Sequence, residues 1–381
     1  LYTNTFTQPF LKINKNYTVF YILILFIPLL IEHFSNFLGG SIKAILIIYF
    51  FVNTIKIRKI SLLLISFCFF FIFNQNLDFG RGIVFELIQI IYFPVCFFYF
   101  FKFSKNKNSL LLASHIISYT IIFSSLFFIL KIFNQNELIL DQLEVLNAKF
   151  EDSDGAFLHF GFFEHPQAAS KLYVLSVIII LFKKEKRLID YLALILGVYL
   201  VYITYVRLGW LVLVVSLILF VLHQKSKRLK LFFLTALSLS FFFVLPLIIN
   251  RLFNFTDIMT LSSLSSGRNL LILQSILFIQ NISFFDMIFG SGYELVMETI
   301  GYAHNRFFEV FIFGGLVSFL LWLAIYKKIF FIIKPFLKGN YLVISTLFLI
   351  LNTMLFSHGF SPYLALLSSI AIISTKSEIE L

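Results

Sequence analysis

Residues 166–230 read PQAASKLYVLSVIIILFKKEKRLIDYLALILGVYLVYITYVRLGWLVLVVSLILFVLHQKSKRLK. Three apolar runs, 166–182, 188–206 and 208–223, follow one another with breaks of a few residues. Each run approaches the ~20 residues that carry a helix across a hydrocarbon core. The breaks alternate in kind. Lys183, Lys184, Lys186 and Arg187 fill the first, Arg207 stands alone in the second, and Lys225, Lys227, Arg228 and Lys230 fill the third. Lysine and arginine collect on the cytoplasmic side of a membrane protein, so this alternation reads as successive spans that reverse direction at each break.

The pattern extends along the chain. Spans are expected near 17–34, 37–55, 59–75, 82–101, 110–132, 166–182, 188–206, 208–223, 229–250, 304–326, 339–357 and 360–374. Every basic cluster then follows an even-numbered span, and both termini are cytoplasmic. The fold class expected is an all-α polytopic membrane protein of about 12 transmembrane helices. The N-terminal helices occupy 1–133, an acidic external loop 134–165, four further helices 166–250, a large external loop 251–303, and the last helices with a cytoplasmic tail 304–381. Leu270–Ile279 is apolar but too short to cross, and is expected to lie at the membrane interface.

Composition agrees. Hydrophobic residues make up 60% and charged residues 13%, which excludes an ordinary soluble domain. The net charge of +11 resides mostly in the cytoplasmic clusters that face anionic lipid, so nucleic acid is not an expected partner. Cys68 and Cys96 both lie in apolar runs, and no disulfide framework is expected. No cleavable leader is expected either, because Glu32-His33 follows the first apolar run.

Of the 30 Lys+Arg, 21 belong to the basic clusters and only three of those are arginines. The other nine are Lys43, Arg81, Lys131, Lys149, Lys171, Arg207, Arg251, Arg268 and Arg306, five of them arginines. Arginine on the side that charge bias depletes points to an anionic ligand, because the guanidinium fork matches phosphate and carboxylate. Arg207, before Gly209 and Trp210, is either such a contact or a snorkelling anchor. Arg268 follows Ser265-Ser266-Gly267 and opens the short apolar helix, where backbone donors can assist in holding phosphate. The alternative there is a solvated charge at a helix start. Arg81, beside Asp78, either contacts phosphate or pairs with that acid.

His304-Asn305-Arg306 opens the tenth span. His304 is suited to act as base, acid or hydrogen-bond donor near neutral pH, and otherwise serves as a structural histidine. Glu309 is expected about one turn further in, where an ionisable group is a functional candidate. Gly314-Gly315 allows another helix close by. Glu164 and His165 close the acidic loop and offer a carboxylate base, sugar contacts or a helix cap. Asp152-Ser153-Asp154 has the look of an acidic metal pair, but two acids arise easily in a loop this acidic. No metal or other cofactor is expected, and no zinc pattern is present.

In order, these segments resemble the O-antigen ligase and polymerase superfamily (the Wzy/WaaL group) of bacterial envelope glycan assembly. Gly161–Ala169 is similar to its Gly-x-Phe-x-x-Pro-Asn-x-x-Ala element, Thr204–Trp210 to its Ser-Arg-x-x-Trp element, and Gly267-Arg268 to its Gly-Arg element. Gly290-Ser291-Gly292 and Ala303-His304-Asn305 through Gly314-Gly315 complete the series, which covers roughly residues 155–325. Gln167 stands where the family has Asn, and Val206 where it has Ser.

The resemblance implies a glycosyltransferase C-like fold in the bacterial inner membrane, acting at the periplasmic face without a metal. Its substrates would be undecaprenyl-diphosphate-linked glycans. Arg207, Arg268, Arg306 and Arg81 would bind diphosphate. His304 would serve as base or acceptor-orienting group with Glu164 in reserve, and Asn305, His165 and Glu309 would contact glycan. Polymerisation of O-antigen or capsular repeat units is the expected activity, with membrane lipids and a chain-length regulator as expected partners. Ligation of finished glycan to lipid A–core is the alternative enzyme, and a polysaccharide-lipid flippase the alternative transporter.

Overall fold

The computed structural model describes residues 36–55, 58–73, 81–103, 117–126, 166–183, 186–204, 206–228, 230–231, 235, 268–301, 303, 305–356, 368–369 and 371–373. Among them every regular element is an α-helix. These are α1 Asn36–Ile55, α2 Arg58–Phe73, α3 Arg81–Phe103, α4 Pro166–Phe182, α5 Leu188–Ile203, α6 Arg207–His223, α7 Arg268–Asn281, α8 Phe284–Phe289, α9 Tyr293–Thr299, α10 Arg306–Leu337 and α11 Tyr341–Phe356. By length and composition, Gly82–Phe101 and Arg306–Leu337 are long and apolar enough to cross a membrane; the other apolar helices described are shorter. Apolar side chains also cover outward faces, with Leu62, Ile195 and Ile45 each about two-thirds exposed or more. A surface of that kind suits lipid rather than water.

Helices α4, α5 and α6 form one unit that runs back and forth. Gly197 of α5 lets Val177 of α4 and Ile121 approach. Phe182 at the end of α4 meets Phe220 and His223 at the end of α6, and His223 meets Tyr341 at the start of α11. The lysine-rich ends of α4 and α6 therefore lie together. Their starts lie together too, because Ser170 of α4 occupies the space that a side chain on Gly209 of α6 would fill. Asp190 seals the lysine-rich end. Its carboxylate accepts from Lys183 Nζ at 2.7 Å, Ser118 Oγ at 2.6 Å and the Arg187 N–H at 2.8 Å. The α5–α6 turn is closed by Trp210, whose Nε1 donates to the Val201 carbonyl at 3.1 Å while its ring stacks on Tyr202.

Helix α10 departs from the single span expected over 304–326. It is folded on itself at Gly315, which has φ 71° and ψ −177°. Phe307 and Trp322 sit 5.2 Å apart, and Phe311 and Phe319 5.9 Å. In a straight helix at 1.5 Å per residue those pairs would be separated by about 22 Å and 12 Å along the axis. The arm 306–314 thus lies antiparallel against the first turns of the longer arm 316–337. Hydropathy could not show this, because both arms are apolar and a window average carries no direction.

The loop 251–303 also holds more structure than one interfacial helix, since α8 and α9 follow α7. Between them Gly290-Ser291-Gly292 docks on the tip of the α10 hairpin. The Ser291 N–H donates to the Ile312 carbonyl at 2.9 Å. Gly290 (φ 97°) and Gly315 meet backbone to backbone: a Cβ on Gly290 would overlap the Phe313 carbonyl, and one on Gly315 the Ile288 carbonyl. Gly314 packs against the Phe71 ring near the end of α2, and Phe289 against Phe73. The glycine pair thus does both things: Gly314 lets α2 pack closely, as the sequence suggested, and Gly315 makes the turn.

Gly315→Ala should be severely destabilising. The backbone region is one that only glycine occupies at low cost, and the clash is with backbone that no rotamer change relieves. A loss of about 3 kcal/mol or more is expected, read as a fall in Tm and in membrane-inserted protein. Gly301, also at positive φ but with open space around it, is the control; its alanine variant should lose only about 1 kcal/mol. Equal Tm values for the two variants would show that the hairpin tip is not closed in this way.

Candidate functional site

One face of α3 builds the best-defined part of the site. Gly82, Glu86, Gln89 and Phe93 recur at helical spacing and so form one stripe. Gly82 makes room for the Tyr293 ring at the start of α9, and that ring packs on Phe313 at 5.4 Å. Phe93, three turns along, stacks on Tyr326 of the longer α10 arm. Between them the stripe meets Arg306.

Arg306 Nη1 donates to Glu86 Oε2 at 2.7 Å, and Nη2 donates to Gln89 Oε1 at 3.0 Å. Glu309 Oε2, one turn along the same arm, lies 3.0 Å from Nη1 as an ion pair without hydrogen-bond geometry. Arg306, Glu86 and Glu309 are 4%, 3% and 1% exposed, so the group is sealed from solvent. Two carboxylates and one guanidinium leave one formal negative charge. The Asn305 side chain caps the arm by accepting the Phe307 N–H at 3.0 Å.

This arrangement differs from the sequence expectation in three ways. Arg306 was expected to grip diphosphate at the membrane boundary; in the structure it donates to Glu86 and Gln89 and pairs with Glu309. Glu309 was expected further in than Arg306. Because the arm runs back toward the hairpin tip, it is one turn nearer the end where α3 begins. Glu86 was not singled out at all. Its signal was available, since it is an ionisable residue inside the apolar run 82–101.

The remaining expected residues are placed only in part. Arg81, Arg207 and Arg268 each supply the first residue of a helix, of α3, α6 and α7, and their side chains lie outside the described part. Arg306 likewise opens α10. His304, Glu164, His165 and the Asp152–Asp154 pair also lie outside the described residues. A cation at a helix start is opposed by the macrodipole, by about 0.3–1 kcal/mol. Four arginines in that position need a compensating anion. Arg306 has its own in Glu86 and Glu309. A helix start with a guanidinium is the kind of place where backbone N–H groups and arginine can hold an anion together. At α6, the Gly209–Ser170 contact brings the start of α4 alongside Arg207, and Lys171 in that first part of α4 is buried too.

Among the described residues, helices with lipid-suited outward faces point to a membrane protein. Residues 192–323 match the family model Wzy_C, described as O-antigen ligase. That match supports membership of the O-antigen ligase and polymerase superfamily, whose members are glycosyltransferase-like enzymes acting on lipid-linked glycans at a membrane. The matched stretch takes in α6, α7, α8, α9, the docked glycine turn and the α10 hairpin. No curated protein matches the chain.

Proposed function

We propose that this chain polymerises undecaprenyl-diphosphate-linked oligosaccharide repeat units into O-antigen or capsular polysaccharide, at the periplasmic face of the inner membrane. The observation that carries the reading is the placement of Arg207 and Arg268 as the first residues of α6 and α7 within the family-matched region. An acceptor sugar hydroxyl attacks the anomeric carbon of the donor glycan from the face opposite the diphosphate. The bond from that carbon to the diphosphate oxygen breaks, and configuration inverts. Negative charge grows on the leaving undecaprenyl diphosphate, where Arg207 and Arg268, joined by Arg81, stabilise it. The hydroxyl proton passes to His304, with Glu164 as the reserve base. Asn305 and His165 serve as glycan contacts. Exposed apolar residues on α7 and α8, among them Leu273, Leu277, Phe284 and Phe285, suit a helix pair resting in the outer leaflet.

The buried charges weigh against transport. A flippase lines an open path with its charged groups, whereas Glu86, Arg306 and Glu309 engage one another. Deleting the gene and running surface polysaccharide on a gel tests the activity. Caps of a single repeat unit are expected. Bare core with long lipid-linked chains accumulating would identify a ligase, and unchanged polymer would remove the transferase reading.

A further inference from the structure

We propose that Glu86, with Gln89, is a positioning residue of the transferase: it holds Arg306, and through it the Asn305-capped root of the α10 hairpin, in a fixed place. The proposal rests on the transferase reading above.

The geometry supports a clamp between α3 and α10. Glu86 and Gln89 reach Arg306 from a different helix, 220 and 217 residues away in sequence, through bonds of 2.7 and 3.0 Å. Arg306 is the first residue of its arm, and Asn305 caps it. Among the described residues, the Glu86–Arg306 pair is the charged tie between α3 and this end of the arm, and the Glu309–Arg306 pair lies within the arm. The opposite end is pinned separately, at the glycine turn. Holding both ends fixes the arm, and the residues that lead into it gain a defined position. Placement of that kind affects rate strongly, because a shift of about 1 Å in a reacting group can cost on the order of 100-fold.

Substituting Glu86 should not break the fold. With Glu86→Gln, Arg306 keeps Glu309 as its counter-ion and the cluster becomes neutral, so no buried charge is left unpaired. What weakens is the bond across the helices, which keeps its charged donor but exchanges a carboxylate acceptor for a neutral amide oxygen.

The test uses full-length protein in lipid nanodiscs. Its probe is the lipid-linked repeat units extracted from cells that lack the gene, with polymer formation as readout. Glu86→Gln should keep a Tm close to that of the wild type and an unchanged KM for these units, while kcat falls about 10- to 100-fold. Glu86→Asp, which retains the charge, should recover part of that loss. Unchanged kcat in Glu86→Gln would overturn the proposal. So would a raised KM at unchanged kcat, or a lowered Tm with full activity per folded molecule, which would make Glu86 a strut only. Wild-type protein inert on these units would instead remove the transferase reading, a result separable from an active wild type matched by an active Glu86→Gln.

Discussion

Arg207→Lys and Arg268→Lys should each insert and fold normally yet make only very short glycan chains. Both variants keep the positive charge, so whatever the arginines contribute to topology or to anchoring survives. What lysine cannot reproduce is the planar fork that gives two parallel hydrogen bonds to one phosphate. In the proposed site that fork would work beside the backbone N–H groups of the helix start, set before charge develops on the leaving diphosphate. Losing one preorganised contact of this kind costs about 2.7–4 kcal/mol, or about 100- to 1000-fold in rate. Polymer length on a gel and release of undecaprenyl diphosphate by purified protein both measure it. His304→Ala should be as inactive but still bind lipid-linked donor, because its proposed role is on the acceptor side. Full-length polymer from Arg207→Lys would reduce that arginine to a membrane anchor. The same result for Arg268→Lys would leave no diphosphate site among the helix starts.

How much of this was legible in the chain depends on what each signal encodes. Basic clusters and apolar runs gave helix positions well: the runs 166–182, 188–206 and 208–223 correspond to α4, α5 and α6 within a few residues. Arg268 opening a short apolar helix was equally readable, from Ser265-Ser266-Gly267 ahead of it. The α10 hairpin was not. Its deciding residue, Gly315, is one glycine among apolar neighbours, and only the contacts of Phe307 with Trp322 and of Phe311 with Phe319 reveal the reversal. The docking partner, Gly290-Ser291-Gly292, was visible as a motif but not as a clasp, since its role depends on the Ile312 carbonyl from a later segment. Glu86 was missed for a different reason. A carboxylate in a long apolar run keeps the run's hydropathy high enough to read as a span, while its desolvation cost demands an offsetting cation. That cation, Arg306, lies 220 residues away, where a local window does not reach.

Arg306→Gln should prevent stable folding, in contrast to Glu86→Gln. The asymmetry follows from counting charge in the sealed cluster. Removing Glu86 leaves one guanidinium with one carboxylate. Removing the Arg306 charge leaves Glu86 and Glu309, both almost fully buried, facing each other across the space it filled. Breaking a buried pair by deleting one partner costs about 3–5 kcal/mol, since the remaining ion keeps its desolvation penalty without its attraction. Glu86 is such an ion here, with the Glu309 carboxylate close by, and total stability is commonly only about 5–15 kcal/mol. The expected result is little or no Arg306→Gln protein in the membrane fraction, and a sharply lowered Tm for any that is recovered. Making the whole cluster neutral, by adding Glu86→Gln and Glu309→Gln to Arg306→Gln, should restore folded protein, because an ion network replaced as a unit leaves no orphaned charge. Activity should stay low in that triple variant, as the clamp on the hairpin root is then only a set of neutral hydrogen bonds. If Arg306→Gln instead folds like the wild type and loses only donor binding, Arg306 is free to reach the diphosphate and the cluster seen here is not the state that matters for catalysis.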